Sequence, residues 1–235
     1  MKNRIVQALK CLGLAAGLIC LNGVAMAPAM AAPIIYNFSG NVTDVGRFLS
    51  PPAVPSPQFT TGSTMTGTMT VDTMDGTSGG LVGSYNILSL SVTIGGYTAT
   101  VGPTGSVNIR NGGPSGGPGS DRFQVSAPSQ PGNLVGDPIN FLLPRLFTIN
   151  LRGPNNVFTS DELPSSVPSL SSFTAANQFR LQFGPTNGAN ARVVGQLTDL
   201  TAVPLPTSVI LFGLGLVALI GLGAGGLRNI RVPQI

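Results

Sequence analysis

The stretch Leu88-Ser89-Leu90-Ser91-Val92-Thr93-Ile94-Gly95-Gly96-Tyr97-Thr98-Ala99-Thr100-Val101 alternates apolar and polar residues on both sides of a glycine pair. Successive side chains of a strand point to opposite faces, so Leu88, Leu90, Val92 and Ile94 share one face and Ser89, Ser91 and Thr93 the other. Tyr97, Ala99 and Val101 resume the pattern against Thr98 and Thr100. Gly95-Gly96 between the two runs reads as a two-residue hairpin turn, because glycine reaches the positive φ angles of such turns without a Cβ clash. Period two with one apolar face marks a half-buried antiparallel strand.

The pattern extends outward from this hairpin. Met65, Gly67, Met69 and Val71 alternate with Thr64, Thr66, Thr68 and Thr70, and Tyr36, Phe38 and Val42 with Asn37, Ser39 and Asn41. Val107 with Ile109, Phe123 with Val125, Phe147 with Ile149 and Leu151, and Phe179 with Leu181 and Phe183 add four strands. A last strand falls within Arg192 to Leu200, where Val193-Val194 leaves the inward face open. Breaker-rich loops separate the runs at Pro51 to Pro57, Gly76 to Gly80, Asn111 to Ser120, Pro128 to Gly132 and Leu163 to Ser172. Nine short strands without helical periodicity make residues 32–202 an all-β domain. With one wet face each, they are expected to close as two packed sheets, an antiparallel β-sandwich or jelly roll. An outer-membrane barrel presents an apolar band outward, whereas the outward residues here are Thr, Ser, Asn and Arg.

Both ends have another character. Lys2, Arg4 and Lys10 precede the apolar run Cys11 to Leu21, and Ala25, Ala27, Ala29 and Ala31 follow. A charged start, an apolar middle and an Ala-x-Ala exit predict a signal peptide over residues 1–31, handled by the Sec translocon and signal peptidase. Cleavage is expected after Ala29 or Ala31, since cutting after Ala27 or Ala32 would leave Pro28 or Pro33 first. Ile19 stands where a lipoprotein reading of Cys20 requires a small residue. At the other end, Val203-Pro204-Leu205-Pro206 leads into nineteen uncharged residues, Val209 to Leu227, followed by Arg228 and Arg231. About twenty apolar residues match a hydrocarbon core of roughly 30 Å, so one transmembrane helix is expected at about 207–227. The arginines place the tail 228–235 on the cytoplasmic side and the body across the membrane. Gly221 and Gly225 have small-xxx-small spacing, from which no dimer is inferred.

This proline-centred motif, apolar stretch and basic tail, in that order, resemble the PEP-CTERM sorting segment read by exosortases. The family's motif is most often Val-Pro-Glu-Pro, and Leu205 stands at the glutamate position. Gly95-Gly96-Tyr97, Asp121-Arg122-Phe123 and Ser160-Asp161-Glu162-Leu163-Pro164 are looser likenesses in the body. The resemblance implies a membrane-embedded cysteine transpeptidase that removes the segment and passes the body to the surface of a Gram-negative, exopolysaccharide-producing bacterium. The precursor would sit in the inner membrane facing the periplasm. A permanently anchored single-span protein is the alternative reading of the same segment.

Composition narrows what the body does. The chain carries a formal charge of +4, but Lys2, Lys10, Arg4, Arg228 and Arg231 all lie in the end segments. Residues 32–206 retain seven arginines against eight carboxylates, a net charge of −1, which gives no electrostatic footprint for nucleic acid. Both cysteines, Cys11 and Cys20, leave with the signal peptide, so burial rather than disulfides must hold the fold. With 32 glycines and 20 prolines in 235 residues, the chain falls just short of low-complexity composition.

The body has no His, Cys, Lys or Trp, which removes the usual general base, thiolate, Schiff-base amine and zinc ligands. Asp161 and Glu162 are neighbours and point opposite ways in an extended segment, unlike a facing glycosidase pair. Asp72, Asp75 and Gly76 miss the spacing of a twelve-residue calcium loop and read as a turn. Catalytic, metal and cofactor sites are therefore expected to be absent. Tyr36 and Tyr97 lie in apolar phase and so offer no stacking platform for sugars. Arg110, Arg122 and Arg180, among Ser, Asn and Gln on polar strand faces, could hydrogen-bond a polymer, although simple solvation of one sheet side is the preferred account of them. The expected role is that of an exported structural or adhesive surface protein, with exopolysaccharide binding as the alternative.

Overall fold

The turn at Gly95-Gly96, with φ of 56° and 95°, folds Leu90–Ile94 back onto Tyr97–Val101. In the computed structural model, the described residues are 32–51, 59–75, 80–112, 121–127, 134–184 and 189–204. They form ten strands: β1 (Ile34–Val45), β2 (Thr64–Asp75), β3 (Val82–Ile94), β4 (Tyr97–Val101), β5 (Ser106–Arg110), β6 (Asp121–Ala127), β7 (Leu134–Val135), β8 (Pro144–Gly153), β9 (Ala176–Phe183) and β10 (Arg192–Pro204). Every pairing among them is antiparallel.

The expected sandwich is wrong. The order β2-β1-β10-β9-β8-β6-β5-β3 is closed by a further pairing of β2 with β3, giving an eight-stranded antiparallel barrel. Eight strands enclose an interior just wide enough for side chains to fill. A closed ring gives every wall strand a neighbour on both sides, although β10 meets β9 only along Arg192–Gly195. β3, at 13 residues, makes closure possible: one side pairs with β2, and the other takes β5 along Val82–Asn86 and β4 along Leu90–Ile94. β4 and the two-residue β7 form a flap on this wall. Bulges supply the curvature: two where β1 meets β10, with Thr198 extra opposite Ser39 and Gly40 and Thr43 extra between Val42 and Asp44, and one between Thr70 and Val71 where β2 meets β3.

The last bulge corrects one assignment. Thr70 faces Ser89 and Val71 faces Ile87, so Leu88 is the extra residue. Leu88 is consequently 39% exposed, and Ile87 takes the inward place expected for it. In β10, Val193 belongs to the core cluster, which resolves the ambiguity at Val193-Val194.

Apolar side chains fill the barrel. Phe38 stacks on Phe147 with centroids 5.8 Å apart, and Tyr36 meets Phe123 edge-on at 5.6 Å. The Phe179 ring lies over Gly40 and Gly195, occupying the volume that Cβ atoms there would need. One end is closed by the cluster of Phe59, Tyr97 and Phe183, with centroids 5.3–5.7 Å apart. Segment 154–173 closes the other, packing Phe158 against Phe173 at 5.9 Å. A membrane barrel faces apolar residues outward. Here the apolar residues face inward and Thr, Ser, Asn, Gln and Arg face out.

The expected transmembrane helix has no counterpart in what is described. Among the described residues no helix is long and apolar enough to cross a membrane, and the span at 207–227 lies outside them, as does the signal peptide at 1–31. β10 continues to Pro204, so the domain boundary expected at residue 202 falls inside a strand.

Candidate functional site

Two parts of the molecule carry the residues singled out from sequence: the end of β10 and the outer wall of β5, β6, β8 and β9. Ile35 pairs with Val203 and Ile34 with Pro204, so the first half of the proline motif belongs to the barrel wall. Val203 is 46% exposed. Leu205, Pro206, Arg228, Arg231, Ala29 and Ala31 lie outside the described residues.

On the outer wall, strand register arranges side chains in rows. Arg110 faces Arg122 and Arg122 faces Arg152, so three guanidinium groups sit directly opposite one another on adjacent strands. The next row is all carboxamide: Asn108 opposite Gln124, Gln124 opposite Asn150, and Asn150 opposite Gln178. A third row runs Ser106, Ser126, Thr148, Arg180. The strand period explains this placement, since Phe123, Val125, Ile149, Leu151, Phe179 and Leu181 between these residues all point into the core. A shallow depression of about 240 Å³ lies between Arg122 and Arg180, floored by Gln124, Thr148, Asn150 and Gln178.

Among the described residues no carboxylate pairs with Arg110, Arg122, Arg152 or Arg180. Arg122 Nη1 donates to Gln124 Oε1 at 3.1 Å, and Arg180 Nη2 to Gln178 Oε1 at 3.3 Å. The Nε atoms of Arg122, Arg152 and Arg180 are buried without a hydrogen-bond partner. Desolvation lowers the Arg122 pKa, and the charges of Arg152 and Arg110 lower it further. The opposite outer wall differs, with hydroxyls in rows such as Thr66-Thr93-Thr98 and Thr68-Ser91-Thr100.

Compared with known families, characterised proteins and solved structures, the chain matches none.

The three motifs that loosely resemble the sorting family's bodies are joints of the barrel. Asp121, fully buried, accepts three backbone hydrogen bonds: from Gly112 N–H at 2.8 Å on Oδ1, and from Val157 and Phe158 N–H at 2.9 and 2.8 Å on Oδ2. It therefore ties the ends of β5 and β8 to the start of β6. Tyr36 OH donates to Pro164 O at 2.8 Å and Tyr85 OH to Asp161 O at 3.0 Å, fastening the segment Asp161-Glu162-Leu163-Pro164 across the same end. Tyr97 OH donates to Asp137 O at 2.9 Å at the other end. Burial pushes Tyr36 well above the ordinary tyrosine range, with Tyr85 adding to it. Burial raises Tyr97 as well, with a further contribution from Asp137.

The remaining sequence candidates are dispersed. Glu162 is exposed on the capping segment and its own N–H reaches only Ser160 Oγ, at 3.4 Å. Asp72 Oδ1 accepts from Met74 N–H at 3.0 Å, a side chain that shapes its own turn. Gly76 lies outside the described residues. Among the described residues no group of three or more His, Cys, Asp or Glu side chains is placed to hold a metal. Sequence reasoning picked out Arg110, Arg122 and Arg180 but missed Arg152, whose place depends on the register of β6 against β8.

Proposed function

We propose that the chain is an exported bacterial surface or extracellular-matrix protein whose C-terminal segment is recognised and removed by an exosortase, and whose barrel serves a structural or adhesive, non-catalytic role. The carrying observation is the ordered ending: Val203-Pro204-Leu205-Pro206, an uncharged stretch to Leu227, then Arg228 and Arg231. The end of β10 at Pro204 supports it, because the motif begins in the last two residues of the last wall strand, so a cut within or beyond it would cost at most the pairs Ile35–Val203 and Ile34–Pro204 and leave the ladder from Tyr36–Ala202 to Val45–Val193 in place. Sec export, signal-peptide removal and a precursor at the inner membrane belong to the same reading.

Intact-mass measurement of the protein from its host, with and without the sorting enzyme, tests this. The expected mature form starts after Ala29 or Ala31 and lacks Arg228 and Arg231, and the enzyme-deficient host retains them. A mature form that keeps Arg231 in the presence of the enzyme sinks the reading and leaves the permanently anchored protein in its place.

A further inference from the structure

Three arginines set directly opposite one another across adjacent strands repel, and like-charged cross-strand pairs destabilise a sheet. The Arg110-Arg122-Arg152 row has no neutralising carboxylate among the described residues, and two of its Nε atoms are buried and unpartnered. Such a row is stabilised by an anion lying across it. Guanidinium groups bind carboxylates through two parallel hydrogen bonds, and adjacent strands are roughly 4.8 Å apart, so the row offers a regularly spaced set of such forks. The neighbouring row consists of carboxamides, which both donate and accept and so match sugar hydroxyls rather than a bare phosphate chain. Gln124 and Gln178 are held by Arg122 and Arg180 through their oxygens, which leaves their NH2 groups to face a ligand.

We propose that this wall binds an acidic polysaccharide, with Arg110, Arg122 and Arg152 holding carboxylates of the sugar units and the carboxamide row holding hydroxyls. Single-stranded nucleic acid fits less well, because it is gripped by aromatic side chains that stack on bases. The outward residues of these rows include no aromatic side chain. The barrel's net charge of −1 also supplies no long-range attraction. The binding does not depend on the sorting reading: a chain that keeps its C-terminal segment would present the same wall.

The test is affinity electrophoresis of the protein as isolated from its host, in gels cast with polygalacturonate, with neutral dextran, or with oligothymidylate. Retardation is expected in polygalacturonate alone. Arg122→Gln/Arg152→Gln should weaken it at least tenfold while unfolding at the same or a higher temperature, because the substitution removes a repulsion. Arg47→Gln, which removes a positive charge away from this wall, should leave it unchanged. The proposal is overturned by no retardation in polygalacturonate, by equal retardation of the folded double variant, by an equal loss in Arg47→Gln, or by oligothymidylate retarding the protein as strongly.

Discussion

Asp121 shows how one side chain can resemble a site and act as a joint. A buried carboxylate with three N–H partners has the appearance of a functional acid, yet its partners are the backbones of Gly112, Val157 and Phe158. An Asn at this place keeps one acceptor oxygen and turns an NH2 toward donors, which leaves at least one buried N–H unsatisfied. Leaving such a group unpaired costs about 1–3 kcal/mol. Asp121→Asn is therefore expected to lower the urea midpoint correspondingly, with protease cutting first within residues 154–169, and an unchanged midpoint would show that the joint carries no load. The residue was visible in the sequence only as part of the Asp121-Arg122-Phe123 likeness; its partners are 9, 36 and 37 positions away. Residue type gave no sign of which backbone groups it would meet.

At the scale of elements, the strands were legible because their side chains alternate, and the bulges were not. Period-two reading placed Leu88 inward by symmetry with Leu90, Val92 and Ile94, and a register shift opposite Thr70 and Val71 reversed it. A bulge is set by what the partner strand does, and a single run of residues carries no record of that. Glycine in the wall is the exception, since Gly40 and Gly195 leave the volume that the Phe179 ring fills. A Cβ at Gly195 would also meet the Asn41 carbonyl, which belongs to the ladder and cannot swing aside. Gly195→Ala should cost about 1–3 kcal/mol as overpacking. Gly102→Ala, with no atom within 4 Å of its Cβ, should stay within about 0.5 kcal/mol of wild type. Paired denaturant curves compare the two, and equal midpoints would remove the argument that Phe179 shapes this part of the wall.

At the scale of the whole molecule, alternation could not distinguish two packed sheets from one closed ring, because both bury one face of every strand and wet the other. The difference rests on two joins being present together, the hairpin of β2 with β3 and the pairing of the first strand, β1, with the last, β10, made by strands whose patterns would suit either arrangement. Closing the ring leaves two open ends, and the chain's three tyrosines, Tyr36, Tyr85 and Tyr97, each tie a segment across one of them through a hydroxyl-to-carbonyl bond. Tyr36 and Tyr97 hold their protons more tightly in the fold than in the unfolded chain, through burial first and a neighbouring group second. The unfolded chain loses these protons near pH 10 while the fold keeps them. Unfolding then releases protons, so stability is fully present below about pH 10 and falls as the pH rises beyond it. For Tyr36 the slope approaches at most about 1.4 kcal/mol per pH unit. Urea unfolding between pH 8 and 12 should show a flat region followed by a decline. Tyr36→Phe should start less stable, having orphaned the Pro164 carbonyl, but decline less steeply. Parallel slopes for the two proteins would mean that the Tyr36 hydroxyl does not couple alkaline pH to opening of the barrel's end.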